Sequence, residues 1–267
     1  MKREPAVAGQ FYSYDKDVLK NELKKFFDSA DACKTGDAIS IVCPHAGYMY
    51  SGAVAAYSYN AVKKQDVKTA IILGPNHGGM GAPVSIYPAG EWETPLGKVE
   101  INSKLAEEIS DNKFVLDESA HIYEHSIEVQ LPFLQYLFKD IKIVPICIMD
   151  QKLAIMKELG EKLASALDES CMVIASTDFS HYIPNEKAYE KDLKVIEFIK
   201  KLDENGLFKI IKDGESSMCG YGPVAAAIVY SRLKGATGGE LLKYVTSGDI
   251  TGDKSSVVGY GALALTK

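Results

Sequence analysis

Three short apolar stretches, rich in β-branched residues, each run into a break that carries a histidine. The stretches are residues 39–43 before His45, residues 69–73 before His77, and residues 171–176 before Asp178 and His181. Apolar runs of this length predict strands that are buried on both faces, as in a parallel sheet. Ligands bind beyond the carboxyl ends of the strands in an open α/β sheet. We therefore expect the three strand ends to meet and to present their polar side chains to one site.

Strands and helices alternate along the whole chain, and this order predicts the class of fold. Helices are predicted for residues 15–27, 51–62, 103–110, 151–167, 185–202, 207–212 and 224–233, and further strands for residues 84–87, 99–101, 142–149, 241–245 and 257–265. The order is typical of an α/β domain whose mostly parallel or mixed central sheet is flanked by helices on both faces. We expect a single domain over residues 1–267. Residues 90–97 are predicted to form a loop, and Pro132 to interrupt or kink a helix.

The charge balance and the apolar pattern exclude several classes of function. The net charge of −6 argues against nucleic acid, which binds to basic surfaces. The sequence has no apolar run of about 18 residues, so no membrane span is expected. No apolar signal core follows Met1, which favours a cytoplasmic protein. The five cysteines are odd in number and widely spaced, which argues against a disulfide framework, and Cys33, in a predicted loop, receives no role.

The five histidines are the first candidates for a functional site. They are His45, His77, His121, His125 and His181. Neutral imidazole binds zinc, copper, iron and nickel, so His45 and His77 are predicted metal ligands. A divalent ion favours a third ligand that carries charge, and the candidates are Asp178, Glu124, Glu128 and Cys219. The alternative for any one of these histidines is a hydrogen-bonded structural group.

Cys219 lies in a glycine-rich turn, residues 216–223, immediately before a predicted helix. Because the amino end of a helix lowers the pKa of a thiol, Cys219 is predicted to be a metal-bound thiolate or a nucleophile. The alternative is a partly buried cysteine in a turn. Asp178 and His181, three residues apart, could form an oriented acid–base pair, or Asp178 could cap the following turn.

His121 and His125 are four residues apart, as two ligands on one helical face would be. Glu124 does not stand where the zinc-protease motif places its base, so that motif is rejected. We expect one of the two histidines to line the site and the other to serve as a cap or hydrogen-bond partner. Tyr48, three residues after His45, is interpreted as a pocket wall or as part of the core.

Five motifs and the opening of the chain together resemble the MEMO family, which is named for a mediator of cell motility in animals. They are residues 44–48 (PHAGY), 74–78 (GPNHG), 124–133 (EHSIEVQLPF), 176–181 (STDFSH), 219–223 (CGYGP) and 3–12 (REPAVAGQFY). Each motif alone is weak, but together they cover essentially the whole chain in order. The resemblance implies a fold shared with the class III extradiol ring-cleaving dioxygenases, which use non-haem Fe(II).

In those dioxygenases two histidines and a glutamate hold the iron, and another histidine is the acid–base residue. The resemblance assigns the ligand histidines to His45 and His77, the third ligand to Cys219, and the acid–base role to His181 with Asp178 beside it. A thiolate in place of a carboxylate makes the site softer, which admits Cu(I) or Zn(II) as well as iron. The resemblance also implies iron or copper binding, phosphotyrosine-peptide recognition in animal members, and a system with a radical-SAM protein among prokaryotic relatives.

Three functions follow from these residues. The first is a metal-dependent oxidoreductase with iron or copper on His45, His77 and Cys219, acting on an aromatic or other oxygen-rich small molecule. The second is a metal-free hydrolase with Cys219 as the nucleophile and His45 or His181 as the base. The third is a protein that binds a metal or a peptide without catalysis, although the acidic chain offers no basic cluster for a phosphopeptide.

Overall fold

The computed structural model describes residues 1–30 and 37–267, and Cys33 lies outside this part of the chain. The strands in chain order are β1 (Lys2–Arg3), β2 (Ala38–Cys43), β3 (Thr69–Pro75), β4 (Val84–Ile86), β5 (Glu91–Thr94), β6 (Gly97–Ile101), β7 (Val115–Leu116), β8 (Lys142–Ile148), β9 (Cys171–Ser176), β10 (His181–Ile183), β11 (Gly238–Thr246) and β12 (Val257–Thr266). The helices are α1 (Lys16–Ser29), α2 (Tyr48–Val62), α3 (Ser103–Ile109), α4 (Leu131–Leu137), α5 (Leu153–Ala166), α6 (Asn185–Lys200), α7 (Glu204–Lys212), α8 (Tyr221–Leu233) and α9 (Ser247–Thr251). Two short 3-10 turns, Ser119–His121 and Glu128–Gln130, precede α4.

The centre of the sheet consists of four parallel strands in the order β8-β3-β9-β2. Their carboxyl ends therefore share one edge of the sheet. On one flank β12 pairs antiparallel with β2, and β11 pairs antiparallel with β12. On the other flank β8 pairs with β6 near its start and with β4 near its end. The prediction of a mostly parallel, mixed sheet in a single α/β domain is confirmed.

Helices cover both faces of the central strands. Neighbouring residues of β2, Ile41 and Val42, are fully buried in two different apolar clusters, and Ile71 and Ile72 of β3 are divided in the same way. The cluster around Ile41 is covered by α1, α2 and α4, and the cluster around Val42 by α3, α5, α6, α7 and α8. Each such isoleucine contributes about 1.5–3 kcal/mol by its burial. None of the helices within residues 1–30 and 37–267 combines the length and apolar character that a membrane span requires.

Residues 90–97 hold the first strand and the turn of a hairpin, so the prediction of a loop for this segment was wrong. Strands β5 and β6 pair antiparallel on either side of a turn at Pro95 and Leu96. Trp92 and Thr94 are buried while the two glutamates between and before them stay partly exposed. This alternation is the signal of a half-buried strand. It extends over only four residues, so the flanking proline and glycines outweigh it in the sequence.

Two other segments near the edge of the sheet differ from the predictions. Pro132 does not kink a helix, because it stands in the first turn of α4, where its missing N–H has no helical partner. The three-residue strand β10 is not predicted by the sequence, since a segment this short carries no periodic pattern. It pairs with β12 through a register shift between His181 and Ile183, and Tyr182 between them has a φ of 58°.

Candidate metal centre

Three side chains with metal-binding atoms meet at the carboxyl edge of the sheet. His45 follows β2 and His77 follows β3, the strands on either side of β9, and Cys219 comes from the turn before α8. The ligand atoms of these three residues all lie within 4.8 Å of one another. His45 Nε2 is 3.3 Å from Cys219 Sγ. The His77 side chain is 36% exposed whereas His45 is 2% exposed, so the site opens to solvent on the His77 side.

Gly220 allows the Cys219 turn to rest against the end of β9. A Cβ at Gly220 would lie 2.4 Å from the carbonyl oxygen of Ser176, so any larger residue would push the turn away. The backbone N–H of Asp178 points at Cys219 Sγ at 3.3 Å. Gln151 holds the turn from the other side, donating from Nε2 to the carbonyl of Cys219 at 2.9 Å and accepting at Oε1 from the Gly222 N–H at 2.7 Å.

Glu124 orients the His77 ring. Its carboxylate accepts from His77 Nδ1 at 2.9 Å and from the His77 backbone N–H at 2.6 Å, and a third donor is the N–H of Ser126 at 2.8 Å. Burial alone raises the pKa of Glu124, but these hydrogen bonds outweigh it and lower the pKa to about 2. For His77, burial lowers the pKa, and the bond to Glu124 reverses this and raises it. With Nδ1 occupied, Nε2 is the atom of His77 that is free to bind an ion.

His45 is oriented by a serine. Its Nδ1 lies 2.9 Å from Ser176 Oγ, and its backbone N–H donates to the Asp178 carboxylate at 2.9 Å. Burial, followed by the nearby His125 and His77 rings, lowers the pKa of His45 well below its usual value. The ring is therefore neutral near pH 7, which is the state that a metal ligand requires.

His125 lines the site, and His121 does not. The His125 ring stacks on His77 with centroids 4.6 Å apart and meets His45 edge-on at 5.4 Å, while Phe11 covers it at 4.8 Å. His121 is buried elsewhere, between Tyr87 and Trp92, with Nε2 3.1 Å from the Ser85 carbonyl. The two rings diverge because the 3-10 turn ends at His121, so the four-residue spacing does not describe one helical face.

His125, His77 and Glu124 form a second group of close ligand atoms. Glu124 Oε1 lies 2.9 Å from His77 Nδ1, in the hydrogen bond already described, and 3.5 Å from His125 Nδ1. Both carboxylate oxygens of Glu124 thus accept from N–H groups. In the candidate site Glu124 therefore orients the His77 ring.

Asp178 and His181 lie next to the ligands but do not contact each other through a hydrogen bond. The Asp178 carboxylate holds the His45 backbone, whereas His181 Nδ1 lies 3.0 Å from the carbonyl oxygen of Ser217. The His181 backbone N–H also donates to Ser217 Oγ at 2.9 Å. Ser217, rather than Asp178 as the sequence suggests, therefore orients the His181 ring. Burial raises the pKa of Asp178 to about 6.

The expectation of a lowered thiol pKa at Cys219 was wrong. Burial, followed by the charge of Asp178, raises the pKa of this thiol to about 12. Cys219 stands one residue before the cap of α8, and the sulfur faces the strand end rather than the free N–H groups of the helix. In this environment the thiol becomes a thiolate only with a cation beside it, because a coordinating thiol loses its proton.

Glu128 and Tyr48 belong to the support of the site. The buried Glu128 carboxylate accepts from Arg3, from the N–H groups of Ala6 and Val7, and from the Tyr12 hydroxyl, so its oxygens are occupied. Tyr48 donates to the Val129 carbonyl at 2.7 Å and packs among core aromatic rings, so it is part of the core. Gln130, Gln151 and Ser176 also support the candidate ligands. The sequence analysis does not predict these three residues. Polar residues that alternate with apolar ones, as at positions 126–130, are a pattern that could have indicated buried polar support.

Comparison with known proteins agrees with the motifs. A family model described as "Memo-like protein" matches residues 3–264. A MEMO1 family protein of Methanopyrus kandleri is 46% identical, with both chains covered completely. MEMO1 family proteins of Methanothermobacter thermautotrophicus and Methanosarcina mazei are each 45% identical and cover 98% or more of both chains. The chain therefore belongs to the Memo-like protein family.

Proposed function

We propose that the protein binds a redox-active transition metal, iron or copper, through His45, His77 and Cys219, and that it is a metal-dependent oxidoreductase. The observation that carries the proposal is the convergence of the three ligand atoms within 4.8 Å. Each imidazole has its Nδ1 held by an oxygen, His77 by Glu124 and His45 by Ser176. Histidine ligands of metals in proteins are held in this way at their second nitrogen.

The ligand chemistry supports iron or copper and also admits zinc. Two imidazoles and a thiolate suit Cu(I), Zn(II) and Fe(II). Cys219 rather than a carboxylate stands beside His45 and His77, and the nearby Glu124 and Asp178 carboxylates accept from N–H groups. When bound, iron or copper would supply electron transfer at this edge of the sheet. The open side at His77 would give a small molecule access to the site.

His181 is the proposed proton donor and acceptor for the substrate. Its Nδ1 donates to a carbonyl oxygen, that of Ser217, which can only accept, so Nε2 is the nitrogen free to take or give a proton. Imidazole is the side chain that most often moves a proton to or from a reacting group. An aromatic or other oxygen-rich small molecule is the substrate class that this combination of metal and imidazole supports.

Metal content after anaerobic purification tests the proposal. Wild-type protein should retain stoichiometric iron or copper, and His45→Ala, His77→Ala and Cys219→Ser should each lose it. His121→Gln is the matched control, because His121 is buried outside the site and should leave metal content unchanged. Oxygen uptake with catechols and thiols then tests turnover. A wild-type protein that takes up neither metal would refute the proposal, and metal binding without any uptake of oxygen would reduce it to a binding function.

One observation favours a second candidate, a hydrolase with a cysteine nucleophile. His45 Nε2 lies 3.3 Å from Cys219 Sγ, close to the spacing of a nucleophile and its base. The raised pKa of the Cys219 thiol opposes this function. A thiol-directed electrophile separates the two candidates: bound metal should protect Cys219 from labelling in the first, and metal-free protein should be labelled rapidly at Cys219 in the second.

A further inference from the structure

We propose that Ser176 and Gln130 are positioning residues that keep the His45 proton on Nδ1, so that Nε2 is the atom offered to the metal. The inference rests on the proposed metal site and explains why Nε2, rather than Nδ1, of His45 would bind the ion. His45 is hydrogen-bonded at both nitrogens, to Ser176 Oγ at 2.9 Å and to Cys219 Sγ at 3.3 Å. A hydroxyl can donate or accept, so the Ser176 contact alone leaves the position of the ring proton open.

The surroundings of Ser176 determine which way its proton points. The Ser176 hydroxyl donates to the carbonyl oxygen of Ser126 at 2.6 Å, and a carbonyl oxygen cannot donate in return. The Gln130 side chain donates from Nε2 to Ser176 Oγ at 2.9 Å. The hydroxyl has one proton, and that proton is used toward Ser126. Toward His45 the oxygen is therefore an acceptor, and Nδ1 of His45 must carry the proton.

The Gln130 amide has its own orientation determined by its neighbours. The second proton of Nε2 goes to the Pro44 carbonyl oxygen at 3.0 Å, and Oε1 accepts from the Tyr59 hydroxyl at 3.0 Å. A reversed amide would place Oε1 against the Pro44 carbonyl oxygen and leave two acceptors facing each other. Gln130, Ser176 and Tyr59 are fully buried, so water does not offer alternative partners.

His45 is the ligand that needs this arrangement. The Nδ1 proton of His77 goes to the Glu124 carboxylate, an acceptor with no proton of its own to offer. His45 faces a hydroxyl instead. If Ser176 donated to Nδ1, the ring proton would lie on Nε2, pointing at Cys219 and blocking that nitrogen as a ligand. Ser126 and Gln130 remove this alternative.

The position of the ring proton is measurable without a metal. Long-range ¹H–¹⁵N spectra of metal-free protein labelled at histidine nitrogens should show His45 with a protonated Nδ1 and an unprotonated Nε2. In Ser176→Ala the acceptor is lost, and the proton should move to Nε2, where Cys219 Sγ accepts it. Ser176→Thr keeps the hydroxyl, so its spectra should show the wild-type pattern, with His45 protonated at Nδ1. Ser58→Ala is the matched control. Ser58 is also buried and donates to a backbone carbonyl oxygen, that of Val42, at 2.6 Å, but it makes no hydrogen bond to His45.

Zinc affinity supplies the second measurement. Loss of a group that orients a ligand weakens metal binding about 10- to 100-fold. Ser176→Ala and Gln130→Met should fall in this range, and Ser58→Ala should bind zinc as the wild type does. A wild-type His45 with its proton on Nε2, or a Ser176→Ala protein with unchanged spectra and affinity, would overturn the inference. Failure of the wild type to bind any metal would count against the proposed function, while the spectra would still decide the position of the proton.

Discussion

The carboxylate of Glu124 accepts from both nitrogen donors of one residue, the ring Nδ1 and the backbone N–H of His77, at 2.9 and 2.6 Å. This two-point contact couples the segment before α4 to the loop after β3. The ring of His77 therefore cannot rotate without losing a partly buried, charge-assisted hydrogen bond.

Glu124→Gln should weaken metal binding about 10- to 100-fold, because a neutral amide orients the His77 ring less strongly than a carboxylate does. The pKa of His77 should also fall, since the hydrogen bond and charge that raise it are removed. Metal titration at pH 7 measures the affinity, and ¹⁵N chemical shifts of His77 over a pH series measure the pKa. Glu118→Gln, on an exposed glutamate, is the control. Equal affinities of the two variants would contradict the role of Glu124.

Arg3→Met should destabilise the protein by about 3–5 kcal/mol, because it leaves the Glu128 carboxylate buried without its cation. Arg3 also donates to the carbonyl oxygens of His121 and Glu124, so the segment that orients His77 should loosen and metal affinity should fall as well. Urea unfolding measures the stability. Lys2→Met removes ion pairs at the protein surface and should cost far less stability than Arg3→Met. A similar cost for both variants would contradict the assignment of Arg3 to the support of the site.

Gly220→Ala should displace the Cys219 turn, because the new Cβ would lie 2.4 Å from the Ser176 carbonyl oxygen. We expect a loss of about 1–3 kcal/mol in stability and a larger relative loss of metal affinity. Gly238→Ala is the matched control, since its Cβ would meet its nearest neighbour at an ordinary 3.5 Å. Thermal unfolding and metal titration of the two proteins provide the comparison. Wild-type affinity in Gly220→Ala would show that the turn tolerates the displacement.

Replacement of His121 should flatten the pH dependence of stability. Burial, followed by the charge of Arg3, lowers the pKa of His121 to about 3, while an unfolded histidine titrates near 6.5. Between these values the unfolded chain binds more protons, so this residue makes the protein less stable as the pH falls, by about 2 kcal/mol at pH 5.

Urea unfolding of the wild type and of His121→Gln between pH 5 and 7.5 checks this expectation. Other groups contribute in the opposite direction, because the folded-state pKa of Asp178 is raised to about 6 and its protonation favours the folded state on acidification. Asp178 is present in both proteins, so its contribution cancels when their free energies of unfolding are subtracted. Parallel pH profiles would show that His121 does not titrate as its burial implies.

The positions of the histidines show what a sequence can and cannot establish. His45 and His77 follow apolar strands, and strand ends of a parallel sheet meet at one edge, so their convergence is predictable from local pattern alone. The hydrogen bond between Glu124 and His77 joins segments far apart in the chain, and no local pattern specifies it. The same holds for the buried sulfur of Cys219: its position before a helix is visible in the sequence, whereas its burial and the resulting rise of its pKa depend on packing against β9.

The placement of β9 between β3 and β2 has a consequence for how the site can form. His45 and His77 are brought into range of each other only after β9, from the second half of the chain, has been inserted between their strands. Cys219 comes from still further along the chain, on the turn that leads into α8. A truncated or partly folded chain therefore lacks the complete ligand set. In the proposed site, metal uptake should therefore require that β2, β3, β9 and the turn before α8 are all in place.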